Sequence, residues 1–290
     1  MILYDLLVAP FVDFDFMRRA LAGSVVLSLS AGPVGVFLVL RRMSLAADGM
    51  SHAILPGMAV CFLLFGLQIL PMTFGGLIAG LIVAFLAGAV SRLTMLREDA
   101  SLAAFYLMSL AFGVLLISLR GTSVDLVHIL FGSVLALNDQ AMGLIGAVAS
   151  ITLIVLAVIW RSLFLECLDP AFLRSVSKSG AYAHFAFLGL VALNLVAGFQ
   201  ALGTLLAVGL IIVPAVAARF WVHRLEPMCL LAAGIGVVSS YIGLLASYHF
   251  NLATGPSIIL VAGVIYLASL AFSPKGVLAG QAKPHHHKSA

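Results

Sequence analysis

Polar and charged positions are sparse along this chain, and they fall in short gaps between long apolar runs. Apolar runs, charged only at Asp48, lie at about residues 20–39, 44–66, 73–91, 101–119, 141–160, 182–200, 203–218, 227–247 and 253–272. A helix rises about 1.5 Å per residue, so about 20 apolar residues cross a hydrocarbon core roughly 30 Å thick. Backbone amides and carbonyls find no partners in lipid, which leaves the helix as the form such runs take. The pattern therefore predicts an all-α, polytopic transmembrane helical bundle of eight or nine segments. The doubtful segment is 203–218, which is short and holds Pro214. If it only dips into the membrane, the count falls to eight and the side of the N-terminus is left open.

Composition agrees and excludes a soluble domain. Hydrophobic residues make up 63% of the 290 positions, charged residues 9%, and mean hydropathy is +1.21. Soluble domains carry roughly 25% charged residues. The net charge of +4 matters less than its arrangement. Twelve of the fifteen lysines and arginines, from Arg41, Arg42, Arg92 and Arg97 through Arg161, Arg174, Lys178, Arg219 and Arg224 to the C-terminus, fall in alternate gaps. Arg18, Arg19 and Arg120 make up the other set. By the positive-inside rule the first set is cytoplasmic, with residues 121–140 outside. Asp5, Asp13 and Asp15 stand where a signal peptide needs positive charge, so the start reads as an interfacial lead-in. Cys61, Cys167 and Cys229 are scattered without CxxC spacing and read as packing residues. Residues 1–275 form one transmembrane domain in this reading. Residues 276–290 form a cytoplasmic tail, whose His285–His287 run is either a plain end or a weak metal holder.

Candidate chemistry changes the picture at one place. Inside the runs the only Asp, Glu, Lys, Arg or His side chains are Asp48, His52 and His184. A carboxylate in hydrocarbon is expensive, so Asp48 is a functional candidate by default. His52 follows four residues later, on the same helix face. An oxygen and a nitrogen without sulfur suit a borderline divalent ion better than copper(I). Pro56 lacks an amide hydrogen and crowds the carbonyl of His52, predicting broken backbone beside the pair. The bland alternative is a buried Asp–His hydrogen bond that ties helices together. His184 and Asn194 read as packing residues, Asp99 as a helix cap, and Asp125, His128, Asp139 and His249 as loop polarity.

Three stretches resemble the permease subunit of bacterial ABC importers for zinc, manganese and iron. They are Gly35–Gly57 with Phe16–Leu21 before it; Arg97–Ala103 with Leu130–Ala136; and Gly203–Arg219 with Thr254–Leu260. The resemblance covers nearly the whole chain in the family's order. It implies a homodimer in the bacterial cytoplasmic membrane, two copies of a cytoplasmic ABC ATPase and an extracytoplasmic metal-binding receptor. It further implies that the transported ion is zinc or manganese, less readily iron, with no covalent cofactor and no nucleic acid partner expected. The chain has no GxxxxGK[ST] phosphate loop, so ATP hydrolysis falls to a partner and the chain is not an enzyme. Within Ala215–Arg224, Ala215, Ala217, Ala218, Arg219 and Phe220 are the expected ATPase contacts, with an interfacial belt as the plainer reading. Rival functions are an ion-coupled secondary transporter and an ABC permease for a metal chelate. An intramembrane hydrolase using Ser51 and His52 is the rival from the enzyme class, disfavoured because adjacent helical residues point about 100° apart and form no nucleophile–base pair within one chain.

Overall fold

The computed structural model describes residues 2–66, 68–96, 98–119, 137–168 and 179–274. Among them the regular elements are all helices. In chain order these are α1 (Ile2–Leu7), α2 (Ala9–Asp13), α3 (Asp15–Leu40), α4 (Ser44–Ala53), α5 (Leu55–Phe65), α6 (Ile69–Leu93) and α7 (Glu98–Leu119). They continue as α8 (Asp139–Leu168), α9 (Ser179–Leu202), α10 (Thr204–Trp221), α11 (Leu225–Phe250) and α12 (Thr254–Phe272). Taking α4 and α5 as one stretch, the described residues hold nine helical stretches long and apolar enough to cross a membrane. The chain is a multi-pass membrane protein. The expected tail, Arg174, Lys178, and the loop holding Asp125 and His128 lie outside the described residues.

The bundle is built around α3. Its small residues let other backbones come close, as helices in lipid require. A Cβ on Gly32 would meet the Ala233 amide nitrogen of α11 at 2.7 Å. One on Gly35 would meet the Ile211 carbonyl oxygen of α10 at 1.8 Å. Polar side chains are sealed inside. Ser30 donates to Asn194 at 2.8 Å, and Asn194 donates to Thr152 at 2.7 Å, joining α3, α9 and α8. Leu64, Phe74, Met108, Val158 and Leu260 stand exposed, where lipid would cover them.

The doubtful seventh span is continuous. Helix α10 runs 18 residues through Pro214 without a break, a rise of about 27 Å. Helix directions agree with an alternating chain. Arg19 near the start of α3 pairs with Asp139 at the start of α8, and Arg41 just past α3 pairs with Glu166 near the end of α8. The first and fifth spans are therefore parallel, as odd-numbered crossings should be. Asp99 Oδ1 is buried without a hydrogen-bond partner near the start of α7, and one expectation needs correction. Asp139 is ion-paired, not merely loop polarity.

Candidate functional site

Asp48 and His52 owe their placement to the turn before α4. Arg42 sits in the left-handed region at φ 59°, where glycine is usual. The Met43 amide donates to Leu38 O at 2.9 Å and the Arg42 amide to Val39 O at 3.2 Å. These are the paired bonds of a Schellman motif, and buried Met43 and Leu38 supply its hydrophobic contact. Arg219 Nη1 from α10 also donates to Val39 O, at 3.3 Å. The chain thus reverses in three residues and launches α4 in a fixed direction.

On α4, Leu45, Asp48 and His52 lie at spacings of three and four and share one face. Leu45 is 78% exposed, Asp48 is exposed and His52 is half-buried. The imidazole lies beside Tyr106 of α7, with ring centroids 6.2 Å apart. Gly49 makes room for that ring, since a Cβ there would lie 2.6 Å from it. His52 Nδ1 is buried and has no hydrogen-bond partner. Asp48 and His52 make no hydrogen bond or ion pair with each other.

The helix breaks where Pro56 predicts. The Ile54 amide donates to Met50 O at 3.3 Å, ending α4. Ala53 O is the carbonyl reached from outside, by Ser109 Oγ of α7 at 2.9 Å. Gly113 of the same helix seats Pro56: a Cβ there would come 3.1 Å from the Pro56 nitrogen. Helical rise places Asp48 about 6 Å and His52 about 12 Å from the start of the span at Ser44. The site therefore lies in the half of the bundle nearer Arg41.

One chain supplies one carboxylate and one free imidazole nitrogen here. Among the described residues no three His, Cys, Asp or Glu side chains gather in a group that would hold a metal ion. An exposed carboxylate on a span needs water or a protein partner in front of it. The arrangement suits a passing cation that completes its shell elsewhere, and it lacks the closed set of a structural centre.

The expected coupling residues divide. Ala215, Ala217 and Ala218 are 0% exposed and pack inside the bundle. Helix α10 continues through Pro214, and that continuity turns them inward. Arg219 is exposed and Phe220 half-buried. These two, with Arg42, Ser44, Leu45 and Asp99, line a cleft of about 680 Å³ at the Arg41 end of the bundle. Leu45 belongs to the face that carries Asp48, so cleft and ion face adjoin.

The sequence reading missed Tyr106 and Ser109, which look like ordinary span residues until α7 is packed on α4. It also missed a buried charge cluster. Arg41 Nη2 reaches Glu166 Oε1 at 3.2 Å and His184 Nδ1, while His184 Nδ1 lies 3.7 Å from Glu166 Oε1. The side chains are 9%, 12% and 4% exposed.

The profile of the ABC 3 transport family matches residues 13–273. The manganese import system permease protein ScaB of Streptococcus gordonii is 36% identical over 264 residues, covering 91% of this chain and 93% of that protein. The chelated iron transport system membrane protein YfeD of Yersinia pestis is 30% identical over 271 residues, covering 93% and 90%. Among solved structures, PsaBC from Streptococcus pneumoniae in complex with Fab has a chain that superposes with a TM-score of 0.81 at 32% identity. That match covers 94% of this chain and 99% of that one.

Proposed function

The chain belongs to the ABC 3 transport family, and on that premise we propose that it is the membrane permease of an ATP-driven importer for a bare divalent metal ion. Manganese is the first candidate, because ScaB carries that name and Asp48 and His52 offer oxygen and nitrogen. The observation that carries this reading is the free pair on α4: an exposed carboxylate and an unpartnered imidazole nitrogen on one face inside a span. We take the Arg41 end as cytoplasmic. Two copies meet with their α4 faces opposed, each contributing Asp48 and His52 to one ion. A receptor delivers the ion outside, and a pair of ATPases closing inside reorients the helices. A site of transport binds weakly enough to release, which fits an incomplete set of ligands. A chelate permease, the reading YfeD's name favours, needs a wide apolar cavity in front of α4 in place of a charged one.

The experiment is uptake by the complex reconstituted in vesicles clamped at zero proton gradient. Manganese should accumulate only with ATP inside reach of the ATPase. Accumulation driven by a proton gradient without ATP would replace this reading with a secondary carrier, and transport of a chelate in preference to the free ion would replace it with a chelate permease.

Arg219 and Phe220 are the part of the coupling segment that we propose meets the ATPase, through the cleft they line. Arg219→Glu reverses an exposed charge at that rim. ATPase retained on the purified permease should fall about tenfold, equivalent to roughly 1.4 kcal/mol. Full retention with intact thermal stability would remove these residues from the interface.

A further inference from the structure

We infer that Glu166 is a positioning residue for transport: by holding Arg41 it fixes the turn at 41–43 and so aims the α4 face that carries Asp48 and His52. The inference rests on the proposed role of that pair.

Three observations lead to it. First, the three side chains Arg41, Glu166 and His184 are nearly sealed from solvent. Buried ion pairs contribute little net stability over apolar packing, so their retention asks for another reason, such as fixing one arrangement among several. Arg41 is held further by Phe187, whose ring centroid lies 5.4 Å from the guanidinium carbon. Second, the turn itself is strained. Arg42 occupies a left-handed conformation without being glycine, which persists only where surrounding contacts over-determine the backbone. The anchor next to it is Arg41. Third, α4 is a short lever. It is ten residues long and separated from α5 by the break at Ile54, so its direction follows the turn that launches it.

Helix α8 packs on α3 and α9, and α4 rests on α3, α6, α7, α9 and α10. Of the routes this leaves from Glu166 to α4, the bond to Arg41 is the one that ends at the turn that launches the helix. Loss of the Glu166 charge leaves Arg41 buried without its carboxylate, and the guanidinium then seeks water by pulling the turn outward. Arg41 Nη1 and Glu166 Oε2 have no other hydrogen-bond partners to hold them in place.

The test uses the assembled complex in vesicles, in a background where Cys61, Cys167 and Cys229 are replaced by alanine. A nitroxide is attached through Leu45→Cys on the α4 face, or through Leu260→Cys on the exposed side of α12 as a control. Glu166→Gln should change the mobility spectrum at position 45 and leave that at 260 as it was. It should also lower ATP-driven manganese uptake about three- to thirtyfold, the range typical of residues that act through a coupled element. Glu166→Asp, which keeps the charge, should recover most of both. An unchanged spectrum at 45, a change at both positions, or unchanged uptake would each overturn the inference. Failure of the ion-site reading shows separately: Asp48→Ala would then transport normally while the label at 45 still responded to Glu166→Gln.

Discussion

Asp48→Ala is expected to abolish manganese uptake while leaving the assembled complex intact. The carboxylate is exposed on its helix and makes no recorded ion pair, so its removal strands no buried partner and opens no internal cavity. Stability should hold, with any change within about 0.5 kcal/mol. Transport should not. Even groups that merely support a metal ligand are worth about 10–100-fold in metal affinity or activity, and a direct ligand present once in each of two subunits should exceed about a hundredfold. His52→Ala should cost less, about tenfold by the same scale, because the carboxylates remain to hold charge. That variant also empties the space beside Tyr106, so its folding needs a separate thermal melt. ATP-driven uptake at matched protein level decides the matter. Normal uptake by both variants would return Asp48 and His52 to a structural role.

The largest effect on folding is expected from Gly35→Ala. The added methyl carbon would stand 1.8 Å from Ile211 O and 2.8 Å from the carbon behind it. Both are main-chain atoms, so no side chain can rotate away. Overpacking a core costs about 1–3 kcal/mol where side chains adjust. Here α3 and α10 must separate, and a loss above about 3 kcal/mol is expected, seen as aggregation on size-exclusion chromatography or a large drop in the melting temperature. A wild-type melting curve would mean that α3 and α10 do not touch at this point. The same substitution at Gly143, where a Cβ meets nothing within 4 Å, is the matched control.

Much of the fold could be read from the chain because lipid imposes a simple rule. Each run long enough to cross had to be helical, and all nine appear close to their expected places. Their ends were less legible. The fifth run was cut at 160, where Arg161 begins, yet α8 continues to Leu168. A window along the sequence registers Glu166 as a charge that ends a span. It does not register that Arg41, 125 positions earlier, lies beside it to balance that charge. The pair Asp48 and His52 was legible because its spacing is local to one helix. Tyr106, Ser109 and Gly113 were not, since their meaning comes from α7 lying against α4. Pro56 and Pro214 carried the same signal and behave differently. At Pro56 the neighbouring helix supplies Ser109 to take Ala53 O, whereas α10 absorbs Pro214 within a continuous run.

Gly203 joins α9 to α10 by a single residue, at φ 93° and ψ 157°, a conformation that only glycine adopts readily. So short a joint carries no slack. Just below it a Cβ on Gly198 would come within 2.7 Å of Ala207, so the two helices also lie pressed together. They behave as a stiff two-legged strut hinged at neither leg. On the proposed docking at Arg219, a thrust at the foot of one leg would be carried to the far side of the bundle without being dissipated in a loop. It would arrive also at the foot of the other leg, where His184 touches Arg41.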